Sequence, residues 1–85
     1  MLKTYILRAY DDNYEVTRDR RHLIALDLDT PSGVLSARVM LEGARAGIAR
    51  AHKVDPDGDR YSTFRLSVHA HEQDGGGYVM DWCGA

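Results

Sequence analysis

The sequence predicts an α+β fold, a small two-layer sandwich in which one helix packs across an antiparallel sheet of about five or six strands. Three observations favour this fold. The chain has 85 residues, enough for one domain with one core, so residues 1–85 are expected to form a single unit. Most segments between its turn signals have the length and the alternating apolar residues of strands. One segment, residues 31–46, instead carries the signals that begin and end a helix.

The N-terminal third of the chain contains three predicted strands. Residues 3–10 and 14–18 carry tyrosine, isoleucine and valine, and the polar residues 11–13 between them indicate a hairpin turn. Residues 23–28 alternate well enough to form a third strand. Its inward-facing side chains are expected to be Ile24, Leu26 and Leu28.

Residues 31–46 form the predicted helix, with Thr30 as its N-cap, Pro31 at its first position and Gly47 past its end. Because the same segment also alternates between apolar and polar residues, an all-β meander is the alternative fold. On a helical wheel the apolar face contains Val34, Ala37, Met40, Leu41 and Ala44, and the polar face contains Arg38, Glu42 and Arg45. After Gly47, residues 48–54 are predicted to form a strand.

The clearest alternation in the sequence runs from Tyr61 to His71 and predicts a half-buried strand. The glycines at positions 75–77 indicate a turn, and a second alternating segment follows them. A hairpin would place the apolar residues of both strands on one face. These residues are Phe64, Leu66, Val68 and Ala70 on the first strand and Tyr78, Met80 and Trp82 on the second.

Composition narrows the possible functions. The 11 Lys and Arg nearly balance the 13 Asp and Glu, for a net charge of −2, which weakens the electrostatic case for nucleic acid or a membrane surface. The apolar runs are far shorter than the ~18 residues of a membrane span, and a single cysteine fits a reducing compartment, so we expect a cytoplasmic location. The excess of arginine over lysine is typical of GC-rich genomes, and the chain resembles small accessory proteins of actinobacteria and their phages.

No known arrangement of catalytic side chains is recognisable. The serines lie outside any G-x-S-x-G turn, and the glycine run lacks the lysine of a phosphate loop. We therefore expect a non-enzymatic interaction or accessory protein with no cofactor. Its partner would be another protein, and a host protein if the gene belongs to a phage or mobile element.

The C-terminal segment is the expected interface. Aromatic and methionine side chains anchor interfaces, and terminal strands tend to lie at sheet edges. The expected contact residues are Tyr78, Val79, Met80 and Trp82. Edge pairing between two copies would give a homodimer; alternatively, the same side chains complete the core of the monomer.

A nucleic-acid-binding protein is the first alternative. Arg18, Arg20 and Arg21 form the local basic cluster of the sequence, and guanidinium groups hold phosphates well. Asp19 lies within the cluster and reduces its positive charge.

A small metal-binding protein is the second alternative. His69 and His71 would point the same way from one strand, and Asp81 or Cys83 on the neighbouring strand would add an oxygen or a sulfur ligand for zinc. The three aspartates of residues 55–59 match the first positions of a calcium loop, but the glycine and glutamate that such a loop needs later are missing. This segment is therefore predicted to be a connecting turn.

Overall fold

The structure, a computed structural model, describes residues 1–84 and confirms the α+β sandwich, with one helix packed against a five-stranded antiparallel sheet. The elements in chain order are β1 (Lys3–Asp11), β2 (Tyr14–Glu15), β3 (His22–Leu26), α1 (Pro31–Ala51), β4 (Phe64–Ala70) and β5 (Tyr78–Trp82), with short 3-10 helices at Asp59–Thr63 and Glu72–Asp74.

The sheet has the strand order β2-β1-β4-β5, and β3 also pairs with β1. Since β4 occupies one edge of β1, the other edge is shared by β3, which pairs with residues 3–7, and by β2, which pairs with residues 10–11. The strand β5 pairs only with β4 among the described residues and forms the opposite edge of the sheet.

Side-chain alternation along β1 separates the two faces of the sheet. Tyr5, Leu7 and Ala9 are buried beneath α1, so Ile6 and Arg8 project from the opposite, outer face. The inner face and the helix enclose one core, whose largest fully buried side chains are Phe64, Leu26, Leu41, Leu66, Val54 and Val68.

The start of α1 confirms the predicted cap. Thr30 has an extended backbone, and its Oγ1 accepts a hydrogen bond from the Gly33 amide at 3.0 Å, with Pro31 at the first helical position. The predicted strand over residues 48–54 is wrong, because the helix continues to Ala51. Gly47 therefore lies inside the helix, where a glycine costs about 1 kcal/mol relative to alanine. Burial of Ile48 and Ala49 in the core outweighs that cost.

The N-terminal hairpin is shorter than predicted. Only Tyr14–Glu15 of residues 14–18 form a strand, and the chain then turns. Thr17 explains the change, because its buried Oγ1 accepts a hydrogen bond from the Ala9 amide at 3.0 Å in place of a backbone carbonyl. The third strand is confirmed over His22–Leu26, where Leu26 is buried and Ile24 packs against the core. Leu28 also packs against the core but lies beyond the end of the strand.

The C-terminal hairpin is confirmed, but its first strand is shorter than the predicted residues 61–71 because residues 61–63 belong to a 3-10 helix and the strand ends at Ala70. The pairing of its two strands also has one irregularity. Leu66 pairs with Trp82 and Val68 pairs with Met80, as the apolar pattern predicts. A β-bulge at Val79 then shifts the register, so Tyr78 lies opposite His69 on the outer face and not on the core side. The turn between the strands contains Gly75 and Gly76, both at positive φ.

Candidate functional site

The strand β5 presents an open backbone edge with two exposed side chains. Tyr78 is 62% exposed and Val79 is 40% exposed. Met80 and Trp82 instead pack against the core as half-buried residues. The expected set of contact residues is therefore divided: two members contribute to the core of this chain, and two are available to another one.

A groove lies beside β5, where the chain after the strand passes along α1. It has a volume of about 910 Å³ and a mainly apolar lining that includes Val39, Ala46, Trp82 and Cys83, and charged side chains, among them Glu42 and Arg50, also line it. A smaller cavity of about 310 Å³ adjoins it on the other side of Trp82. We call the larger space the α1–β5 groove. It places an apolar surface next to the open edge of the sheet.

A polar network fixes Trp82 at this groove. Glu42 accepts hydrogen bonds from the Trp82 indole (3.0 Å), the Tyr61 hydroxyl (2.6 Å) and the Arg45 guanidinium (3.2 Å). Burial alone raises the pKa of Glu42, but these three donors outweigh it and lower the pKa overall. Burial and the hydrogen bond to Glu42 raise the pKa of Tyr61 to about 12. Near neutral pH the network therefore contains a carboxylate and a protonated phenol.

The helical wheel places Arg45 among the polar residues of α1, but the structure buries it and leaves only 4% of the residue exposed. Its Nε donates to the Phe64 carbonyl and its Nη2 to the Tyr61 carbonyl, both at 2.7 Å, and its guanidinium lies 3.9 Å from the centre of the Tyr61 ring. The Tyr61 carbonyl lies in the 3-10 helix before β4 and the Phe64 carbonyl lies on the first residue of β4, so the partners that permit burial come from a distant part of the chain.

The predicted arginine cluster lines a cleft on the outer face of the sheet, with a volume of about 530 Å³. Arg18, Arg20 and Arg21 lie on the loop between β2 and β3, and Arg8 joins them from β1. We call this space the arginine cleft. Arg8 was not predicted as a member of this cluster, although alternation in β1 places it on the face opposite the core residues Leu7 and Ala9.

Carboxylates also line the arginine cleft. Glu15, Asp19 and Glu72 are all present, and Arg21 forms an ion pair with Glu72. Arg8, Arg18 and Arg20 form no ion pair with any of residues 1–84.

The structure does not bring His69, His71 and Cys83 together. His69 lies 2.7 Å from the Ser67 hydroxyl, whereas β4 ends before His71, whose Nδ1 accepts a hydrogen bond from the next 3-10 helix. Cys83 follows the far end of β5, roughly 17 Å along the strand from the residue opposite His69. Residues 1–84 contain no group of three or more His, Cys, Asp or Glu side chains placed to hold a metal ion.

The aspartates of residues 55–59 lie in a turn, as predicted. Asp55 Oδ1 accepts a hydrogen bond from the Asp57 amide, and the Asp55 carbonyl accepts one from the Gly58 amide, both at 2.9 Å. The first aspartate therefore organises the backbone of the turn.

Comparison of the chain with protein-family models, with curated protein sequences and with solved structures finds no match. None of the helices within residues 1–84 combines the length and the apolar character that crossing a bilayer requires.

Proposed function

We propose that this chain is a non-enzymatic interaction protein that binds a second copy of itself through the edge of β5. One observation carries the proposal: the open edge of β5, with Tyr78 and Val79 exposed, lies beside the apolar α1–β5 groove. An unpaired strand edge offers backbone donors and acceptors to another strand, and a neighbouring apolar surface adds the area that makes such pairing stable.

A second copy suits this edge because antiparallel pairing of identical strands has twofold symmetry. Each chain then uses the same residues, and the interface closes without leading to further growth. The bulge at Val79 interrupts the regular edge, so the pairing segment is short. Contacts of the groove must therefore supply a large part of the buried area.

Exposed apolar residues of α1 support a dimer in which the groove supplies apolar contacts beside the paired strands. Leu35 (63% exposed) and Val39 lie one helical turn apart on α1, and Val39 lines the groove next to β5. A domain of about this length buries only ~60–65% of the surface of its unfolded chain. Covering these side chains in a dimer would remove apolar surface that the single chain leaves in water.

The oligomeric state of the full chain tests the proposal. Sedimentation equilibrium should show a dimer for the wild-type chain and a monomer for Val79→Lys, because a lysine on an edge strand opposes pairing. Leu23→Lys is the matched control, since Leu23 is also an exposed apolar residue (53%) on an edge strand but lies on β3.

The control should remain a dimer. A wild-type chain that stays monomeric at high concentration would contradict the proposal. So would a dimer that Leu23→Lys dissociates and Val79→Lys leaves intact. A cytoplasmic location, an origin in a phage or mobile element and action on a host protein stay predictions from composition.

A further inference from the structure

We propose that the arginine cleft binds the phosphate group of a small phosphorylated molecule, with Arg8, Arg18 and Arg20 as the contact residues. This site lies on the outer face of the sheet, away from the α1–β5 groove, and is independent of the proposed dimer. Three features support it: unpaired guanidinium groups, the positive charge that they place on their surroundings, and the size of the cleft.

The arginines of the cleft differ in whether they form an ion pair with a carboxylate of this chain. Arg21 is held by Glu72 at one rim of the cleft, so its charge is already neutralised. Arg8, Arg18 and Arg20 come from β1 and from the adjoining loop and form no ion pair with any described residue. Like charges held near one another repel, and a phosphate between them would relieve the repulsion through charge-assisted hydrogen bonds.

The positive charge of these arginines affects the pKa values of two histidines, which lie on the strands on either side of β1. Burial, followed by the charge of Arg8, lowers the pKa of His69, although Asp81 and Glu15 act in the opposite direction. Burial, followed by the charge of Arg20, lowers the pKa of His22. The charges of Arg8 and Arg20 therefore act on these two imidazoles in the same direction as burial.

The dimensions and charge of the cleft favour a small ligand. Its volume of about 530 Å³ falls within the ~300–1,000 Å³ of small-molecule sites. Ile6 supplies an apolar contact on the floor, while Glu15 and Asp19 leave a net charge near +1 once Arg21 and Glu72 are paired. An extended nucleic acid would meet these carboxylates along its backbone, whereas one phosphate group can bind the guanidinium groups alone.

Isothermal titration calorimetry of the full chain with pyrophosphate and with adenosine triphosphate tests the site. Both should bind saturably, and Arg8→Gln and Arg20→Gln should each weaken binding about tenfold or more, as expected for loss of a hydrogen bond between charged groups. Arg38→Gln is the matched control because Arg38 is an exposed arginine on α1. Its affinity should equal that of the wild-type chain.

A variant that removes a negative charge from the arginine cleft provides a second test. Glu15→Gln should bind pyrophosphate more tightly than the wild-type chain, because it removes a negative charge from the lining. If the cleft instead bound a cationic ligand, the same variant would not improve pyrophosphate binding. In addition, NMR titration should show that pyrophosphate raises the pKa of His69 by neutralising Arg8.

Circular dichroism verifies that each variant is folded, and Arg18→Gln replaces any variant that is not. Absence of saturable binding to both probes would overturn the proposal. Equal binding by Arg8→Gln and the wild-type chain would overturn the assigned site. Binding of a short single-stranded oligonucleotide, without binding of pyrophosphate, would overturn the small-molecule assignment in favour of nucleic acid.

Discussion

Replacing Arg45 with alanine removes the buried guanidinium that connects α1 to the first residue of β4 and to the 3-10 helix before that strand. Two backbone carbonyls, those of Tyr61 and Phe64, then lose their donors, each bound at 2.7 Å in the wild-type chain. Hydrogen bonds from charged groups contribute about 1.5–3 kcal/mol each, so these two give a loss of about 3 kcal/mol or more. The ion pair with Glu42 adds little, because the Glu42 side chain is 41% exposed.

Urea unfolding followed by circular dichroism measures this loss. A chain of 85 residues has a total stability of about 4–13 kcal/mol, so Arg45→Ala removes a large part of it. With an m-value of about 1 kcal/mol/M the unfolding midpoint falls by about 3 M. Arg38→Ala is the control, since it makes the same substitution at an exposed position of α1 and should change stability by less than about 0.5 kcal/mol.

Arg45→Lys separates charge from geometry. It keeps a positive charge but lacks the planar fork that reaches both carbonyls, so it should restore only part of the lost stability. If Arg45→Ala unfolds within 1 M urea of Arg38→Ala, a threshold about one third of the expected shift, the buried guanidinium contributes no net stability and the reasoning is refuted.

Three further outcomes follow from the fold. Thr30→Ala should destabilise the chain by about 1 kcal/mol through loss of the helix cap, and an unchanged midpoint in thermal unfolding would contradict that role. The pKa of Tyr61 is raised to about 12, so its contribution to stability is complete below pH ~10 and is lost as pH rises through 12; phenolate absorbance should show a titration near pH 12 that Tyr61→Phe removes, and this variant should flatten the alkaline loss of stability. Leu66→Ala should cost about 2–5 kcal/mol in chemical unfolding because the side chain is fully buried, whereas Leu23→Ala, at an exposed position outside the proposed dimer interface, should cost little; equal losses would show that the core is assigned wrongly.

Local signals in the sequence predicted most of the fold. The cap formed by Thr30 and Pro31 requires only neighbouring residues, and so does the alternation that defines β4. The end of α1 was not predictable in the same way. Residues 48–54 contain apolar residues that suit a strand or a buried helix equally well, and the packing of the whole domain decides between them.

The candidate site was less predictable because it depends on contacts between distant segments. Arg45 is charged and lies next to polar positions on the wheel, and nothing nearby indicates that carbonyls 16 and 19 residues later will accept its hydrogen bonds. Tyr78 follows an alternating pattern, but one extra residue in the bulge moves it to the other face. Arg8 joins the arginine cleft only because β1 forms its floor.

The position of β1 in the middle of the sheet affects how the protein is made. Tyr5 pairs with Ala70, so this part of β1 is synthesised 65 residues before the part of β4 with which it pairs. The hairpin with β3 can form sooner, since it joins residues much closer in sequence. Completion of the sheet then requires closure of a long loop, which slows folding and leaves one side of β1 open to other nascent chains during synthesis.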